Sequence, residues 1–182
     1  MKVKVIILSL VLFPFFSFCQ KKIDFSPKYE AQWSQVNDTI KANWKNYSGD
    51  CGEFPDTFAF AMWCGIQFYW DTYFTQLGLL SHNEVALAKG GANNLIWMMD
   101  KYKFIPNANA DWGDNRSQPP YLSMIVKDLY PQLKDTVWLR NAYSYLLKEY
   151  DFWTNPNNTV EDNSTPIDGL QRYFHHATNE EL

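Results

Sequence analysis

Apolar residues recur at helical spacing along most of this chain, and polar stretches carrying Gly, Pro and Asn separate the recurrences. Trp33, Val36, Ile40 and Trp44 step by three or four positions, which predicts a helix over Lys28 to Trp44. Asn46 to Asp56 reads as a polar loop. Phe58 to Gly65 is apolar and fits either a helix or a buried extended segment. Gln67 to Leu80 predicts a second helix with Trp70, Phe74 and Leu77 on one face. Ser81-His82-Asn83-Glu84 has the pattern of a helix start, Ser81 as cap and Glu84 as its reciprocal partner. The helix it opens is predicted over Glu84 to Lys103, where Val85, Ala88, Ala92, Leu95, Ile96 and Met99 form the apolar stripe. Ile105 to Asn115 is a loop of Asn, Asp and Gly. Pro119-Pro120 can begin another helix, because a first turn tolerates a missing backbone donor, and Leu122, Ile125, Val126 and Leu129 supply its apolar side. Pro131 opens a further segment striped by Leu139, Ala142 and Leu146 up to about Trp153. Asn155 to Ile167 is polar. Strand alternation is weak throughout.

This pattern predicts an all-α chain of five or six helices. They form either a small helical domain or part of a larger toroid of paired helices. The richest polar loops flank amphipathic helices, which predicts a cleft at helix ends.

The first residues stand apart. Lys2 and Lys4 precede an apolar run from Val5 to Phe18, and Ser17-Phe18-Cys19 offers small residues for cleavage before Gln20. Residues 1–19 therefore read as a removable secretory signal. The run is shorter than the roughly 20 residues of a spanning helix, so no stable membrane span is expected. Residues 20–54 read as an N-terminal helical or linker segment, and residues 55–182 as the main body. Formal net charge is -4, and loss of Lys2 and Lys4 makes it more negative. With no Lys/Arg cluster, nothing points to nucleic acid. Cys51 and Cys64 remain. In an oxidising compartment they pair or stay as two thiols, and they are not a metal pattern. No phosphate loop, serine-hydrolase elbow or zinc-protease motif is present. Neither a cofactor nor a metal is expected.

The chain holds 13 Phe, 11 Tyr and 8 Trp, enough for aromatic cores and for platforms against apolar sugar faces. Trp70 suits such a platform, and Asp71 accepts hydroxyl hydrogen bonds. The plain alternative has Trp70 packing with Phe74 and Leu77 in the core while Asp71 caps or pairs locally. Asn107 and Asn109 each offer donors and an acceptor, or serve only the loop's own turns. Arg116 carries five donors in a planar fork for sugar hydroxyls, or pairs with Asp111 or Asp114. Gln118 adds a donor and an acceptor. Glu180-Glu181 reads as a solvated pair, since adjacent carboxylates do not create a two-sided site. His175-His176 reads as surface or packing.

Phe68-Tyr69-Trp70-Asp71-Thr72-Tyr73-Phe74-Thr75-Gln76-Leu77-Gly78-Leu79 resembles the tryptophan-aspartate segment of trehalases. Ile105-Pro106-Asn107-Ala108-Asn109 through Asn115-Arg116-Ser117-Gln118-Pro119-Pro120 is similar to a second stretch of that family and is the more specific of the two. Glu149 to Trp153 and Leu170 to Tyr173 continue the same order, so the resemblance spans about residues 55 to 182. It implies part of an (α/α)6 toroid built from helical hairpins and hydrolysis of alpha,alpha-trehalose or a related alpha-glucoside with inversion. The partner it implies is a small carbohydrate. By the resemblance, Trp70, Asp71, Asn107 and Arg116 match residues contacting the glucose unit at the nonreducing subsite, with Gln118 a neighbouring motif residue. The family's acid and base are expected beyond Leu182, so no catalytic residue is assigned, and the chain alone is expected to be inactive. Two departures stand out. Trp63 occupies a position where the family carries arginine, and Phe174 to Leu182 replaces an arginine–proline–glutamate segment. An exported enzyme, periplasmic or extracellular, is the expectation. A noncatalytic carbohydrate-binding helical protein and a secreted interaction domain are the alternatives.

Overall fold

The structure is a computed structural model that describes residues 27–61, 63–160, 167, 170–175 and 178. The signal segment 1–19, His176 and the Glu180-Glu181 pair lie outside the described residues. The chain divides into two compact units, Met1–Ile40 and Lys41–Leu182. The described part of the first unit belongs to α1 (Pro27–Asn43), whose bounds agree with the predicted helix.

The second unit holds a short 3-10 turn (Trp44–Tyr47), a two-stranded antiparallel hairpin of β1 (Ser48–Gly49) and β2 (Phe58–Ala59), and four helices: α2 (Tyr69–Ser81), α3 (Val85–Tyr102), α4 (Leu122–Leu133) and α5 (Thr136–Thr154). The described residues are thus mostly helical, as expected, and the apolar Phe58 segment is extended rather than helical. Cys51 and Cys64 are disulfide-bonded, with Cα atoms 5.4 Å apart. A bridge closing a loop of this size contributes about 3 kcal/mol.

α3 is the axis of this unit and packs against α2, α4, α5 and β2. Its residues Ala88, Ala92, Leu95, Ile96, Met98 and Met99 meet Leu122, Ile125, Val126 and Leu129 of α4 and Trp138 and Ala142 of α5 in one core. Close approach of β2's lead-in explains a glycine in this helix. A Cβ on Gly90 would lie 1.9 Å from the Thr57 carbonyl oxygen. Beside it, the buried Asn94 side chain accepts from Asp56 N–H at 3.2 Å and donates to Asp56 O at 3.0 Å.

Three local readings are corrected. Ser81 does not cap α3: it closes α2 and donates to Gly78 O, while Glu84 precedes α3 with no side-chain cap. Asn83, at φ 63°, makes the tight turn between the two helices. Pro131 does not open α5 but lies near the end of α4, which stops at Lys134 in the left-handed region. Asp135 opens α5, its carboxylate accepting from Val137 and Trp138 N–H at 3.0 Å each. Finally, Trp70, Phe74 and Leu77 do not face the core, being 38%, 54% and 43% exposed. α2 buries Tyr69, Gln76 and Leu79 instead.

Candidate functional site

The first backbone N–H groups of a helix have no partner within it, and here a loop supplies them. Tyr69 N–H donates to Asn107 O at 3.1 Å, and Trp70 N–H donates to Gln118 Oε1 at 2.8 Å. Asn107 N–H in turn donates to Arg116 O at 2.7 Å. The loop after α3 is therefore folded back on itself and bound to the start of α2. An antiparallel bridge between Phe68 and Ala108 adds to the seam. Ala108 is buried, and its N–H donates to Gly113 O at 3.2 Å.

Asn109 is consumed by this framework. Its Oδ1 accepts from Gln67 N–H at 2.9 Å, and its Nδ2 donates to Gly65 O at 2.8 Å. Gly65 follows Cys64, so the disulfide-closed segment and the loop are tied through one amide.

The five residues expected to touch sugar fall into two groups. Trp70, Asn107, Arg116 and Gln118 are joined by the seam just described. Trp70 lies edge-on to Phe74 and Tyr121, with ring centroids 6.4 Å away in each case. The Asn107 side-chain amide makes no hydrogen bond among the described residues. Gln118 spends its oxygen on α2 and leaves its amide nitrogen without a described partner. Asp71 stands apart. Its half-buried carboxylate makes no hydrogen bond among the described residues and borders a cavity of about 10 Å³ with Phe58, Gln67, Thr72 and Thr75. That is room for about one water.

Arg116 is the unusual member. It is only 9% exposed, yet it pairs with neither Asp111 nor Asp114. One guanidinium nitrogen, Nη1, donates to Trp112 O at 3.0 Å and to Asn115 Oδ1 at 2.7 Å. The other N–H groups have no partner among the described residues. A nearly buried cation whose described partners are neutral acceptors keeps donors in hand among the described residues, and such a fork suits a polyhydroxylated or anionic ligand.

Sequence reasoning missed the residue beneath this surface. Tyr69 is fully buried, and its hydroxyl accepts from the N–H groups of Tyr121 and Leu122 at 2.9 Å each, capping the start of α4. The same hydroxyl donates to Glu149 Oε1 of α5. Burial pushes the Glu149 carboxyl up to about 7, against a weaker lowering by the Tyr69 bond. Burial, and next the Glu149 charge, hold the Tyr69 phenol well above its ordinary range. A signal for Glu149 was present: it continues the stripe Leu139, Ala142, Leu146 toward Trp153, a lone carboxylate where an apolar residue is the norm.

A cavity of about 530 Å³ lies elsewhere, between the C-terminal ends of α3 and α5, lined by Asp100, Lys103, Phe104, Lys148 and Phe152 among others. None of the five expected residues borders it. Among the described residues no group of acidic, His or Cys side chains is arranged to hold a metal, and no helix is long and apolar enough to cross a membrane.

Comparison with known proteins gives one consistent answer. A probable trehalase of Oryza sativa subsp. japonica is 38% identical over 108 residues, covering 58% of this chain and 19% of that protein. A periplasmic trehalase of Xanthomonas oryzae pv. oryzae is 33% identical over 94 residues, 52% of this chain and 16% of the relative. The chain thus spans less than a fifth of the length of these relatives. Among solved structures, the neutral trehalase Nth1 of Saccharomyces cerevisiae superposes with a TM-score of 0.56 at 23% identity, over 82% of this chain and 34% of that one. The fold is that of part of an (α/α)6 toroid. The model of the family described as Trehalase matches residues 66–181, well over half of the chain, and the chain belongs to that family.

Proposed function

We propose that the chain forms the part of a glycoside hydrolase that grips one glucose unit of alpha,alpha-trehalose or a related alpha-glucoside, which is hydrolysed with inversion. The observation that carries this reading is Arg116, nearly buried and without an acidic partner among the described residues. It stands on the loop that carries the Asn107 amide, which has no described partner, and that loop is hydrogen-bonded to the start of α2 at the exposed Trp70. Trp70 covers an apolar sugar face. Arg116, Asn107 and Gln118 Nε2 donate to hydroxyls, and Asp71 accepts from one. Family membership supports the choice of sugar.

Inversion needs an acid that protonates the leaving oxygen and, on the opposite face, a base that activates water. Neither role is assigned to a residue of this chain. Glu149 carries the raised pKa expected of an acid, but it is nearly buried and accepts the hydrogen bond of Tyr69. The relatives include periplasmic trehalases. With the apolar N-terminal run and the Cys51–Cys64 bridge, they support export to an oxidising compartment.

The test is glucose release from trehalose by the full-length protein, followed by NMR at early times. Release of one glucose initially as the β-anomer is the expected result. A folded protein that cleaves neither trehalose nor other alpha-glucosides would move the weight to a noncatalytic sugar binder.

A further inference from the structure

The turn of α2 that carries Trp70 is anchored from below by a saturated hydroxyl. A phenol has one proton and two lone pairs. The amides of Tyr121 and Leu122 fill the lone pairs of Tyr69. Its single proton is left for Glu149 Oε1, and Glu149 accepts it. Glu149 stands on α5, only 6% exposed, so a carboxylate from one helix sets which way the hydroxyl of another points. Tyr69 then ties together everything that borders the sugar surface. Its own N–H holds Asn107, its neighbour's N–H holds Gln118, and its oxygen holds the start of α4, where Tyr121 meets the Trp70 ring.

Taking the sugar-binding reading as its basis, we propose that Glu149 is a positioning residue for the sugar subsite. It acts through Tyr69 to hold the first turn of α2 and the Asn107–Gln118 loop at the separation that lets Trp70, Asn107 and Arg116 meet one glucose unit. Its task is to accept one hydrogen bond, and its charge is not required. A carboxylate with only a packing role would behave differently. Exchange for an apolar side chain would change stability in either direction and leave the kinetics of the folded protein alone.

The experiment compares Glu149→Gln and Glu149→Leu in the full-length protein by trehalose kinetics and by amide hydrogen exchange. Glutamine offers an oxygen to the phenol and is expected to keep kcat/KM within about threefold of the parent. Leucine leaves the phenol proton free to reorient. A displaced subsite is then expected to lower kcat/KM about 100-fold, mostly in kcat. The amides of Trp70, Tyr121 and Leu122 should exchange at least about tenfold faster in the leucine variant only. Parental kinetics in folded Glu149→Leu would overturn the proposal, as would a glutamine variant as damaged as the leucine one. A parent protein that releases no glucose would sink the sugar reading by itself. The exchange comparison would then decide the positioning role, with unchanged protection counting against it. Should Glu149→Leu fail to fold, Tyr69→Phe removes the same link and is expected to show the same kinetic loss and faster exchange at the three amides.

Discussion

Among the described residues, one carboxylate side chain and one guanidinium are nearly buried, and their surroundings differ. Glu149 is 6% exposed and Arg116 is 9% exposed. Glu149 meets a phenol whose hydrogen-bonding capacity is filled by protein. Arg116 meets two neutral acceptors through a single nitrogen and keeps its other N–H groups without a described partner. Desolvating a charged group is costly, and a site that leaves donors unspent loses free energy unless something else takes them. The first region is finished by folding alone. The second has donors left over for a ligand under the proposed sugar reading. The contrast separates a closed hydrogen-bond network between α2 and α5 from an open one on the loop after α3.

The largest effect that sharpens this contrast is on pH dependence. Glu149 sits at about 7 against an ordinary 4.5. Between those values the folded protein holds a proton that the unfolded chain has released. Its contribution to stability is therefore fully present below about pH 4.5 and is lost as pH rises through about 7. The difference in unfolding free energy between the parent and Glu149→Gln is expected to decline by up to about 3 kcal/mol across that window. Urea titrations at several pH values measure it. Parallel curves would contradict the burial argument.

A smaller effect is expected at Asn107. Its backbone serves the loop, but its side-chain amide bonds nothing described. Asn107→Ala should lower kcat/KM about tenfold, the worth of one hydrogen bond, while the melting temperature stays within about 2 °C. A large fall in melting temperature would move Asn107 into the framework beside Asn109, whose amide both accepts from Gln67 N–H and donates to Gly65 O. The smallest effect is at Trp63, which the sequence resemblance marks as a departure from an expected arginine. The ring is 55% exposed, and Trp63→Ala should change stability by no more than about 0.5 kcal/mol in a denaturant titration.

Much of this was legible in the sequence. The helical spacing of Val85 to Met99 predicted α3 because a helix buried along one broad face leaves a strong period. The segments Phe68–Leu79 and Asn107–Pro120 carried the family. Other features depended on partners far along the chain. Trp70, Phe74 and Leu77 share helical spacing, yet exposure is set by which neighbour covers which face, and α2 buries Tyr69, Gln76 and Leu79 instead. Ser81 and Glu84 have capping-box spacing, but α2 runs through Ser81 and takes the serine for its own last turn. Pro131 suggested a helix start, whereas Asp135 four residues later offers the carboxylate that two orphan amides need. Glu149 was visible as a polar interruption of an apolar stripe. Its partner Tyr69 lies 80 residues away, beyond the reach of any local pattern.

Arg116 has donors without a described partner, and Arg116→Ala in the full-length protein shows whether sugar takes them. Trehalose binding and hydrolysis should be measured beside a thermal melt. A loss of about 100-fold or more in kcat/KM is expected, the worth of charge-assisted hydrogen bonds to substrate, with the fold retained. Parental kinetics in a folded Arg116→Ala protein would contradict it and return Arg116 to the framework.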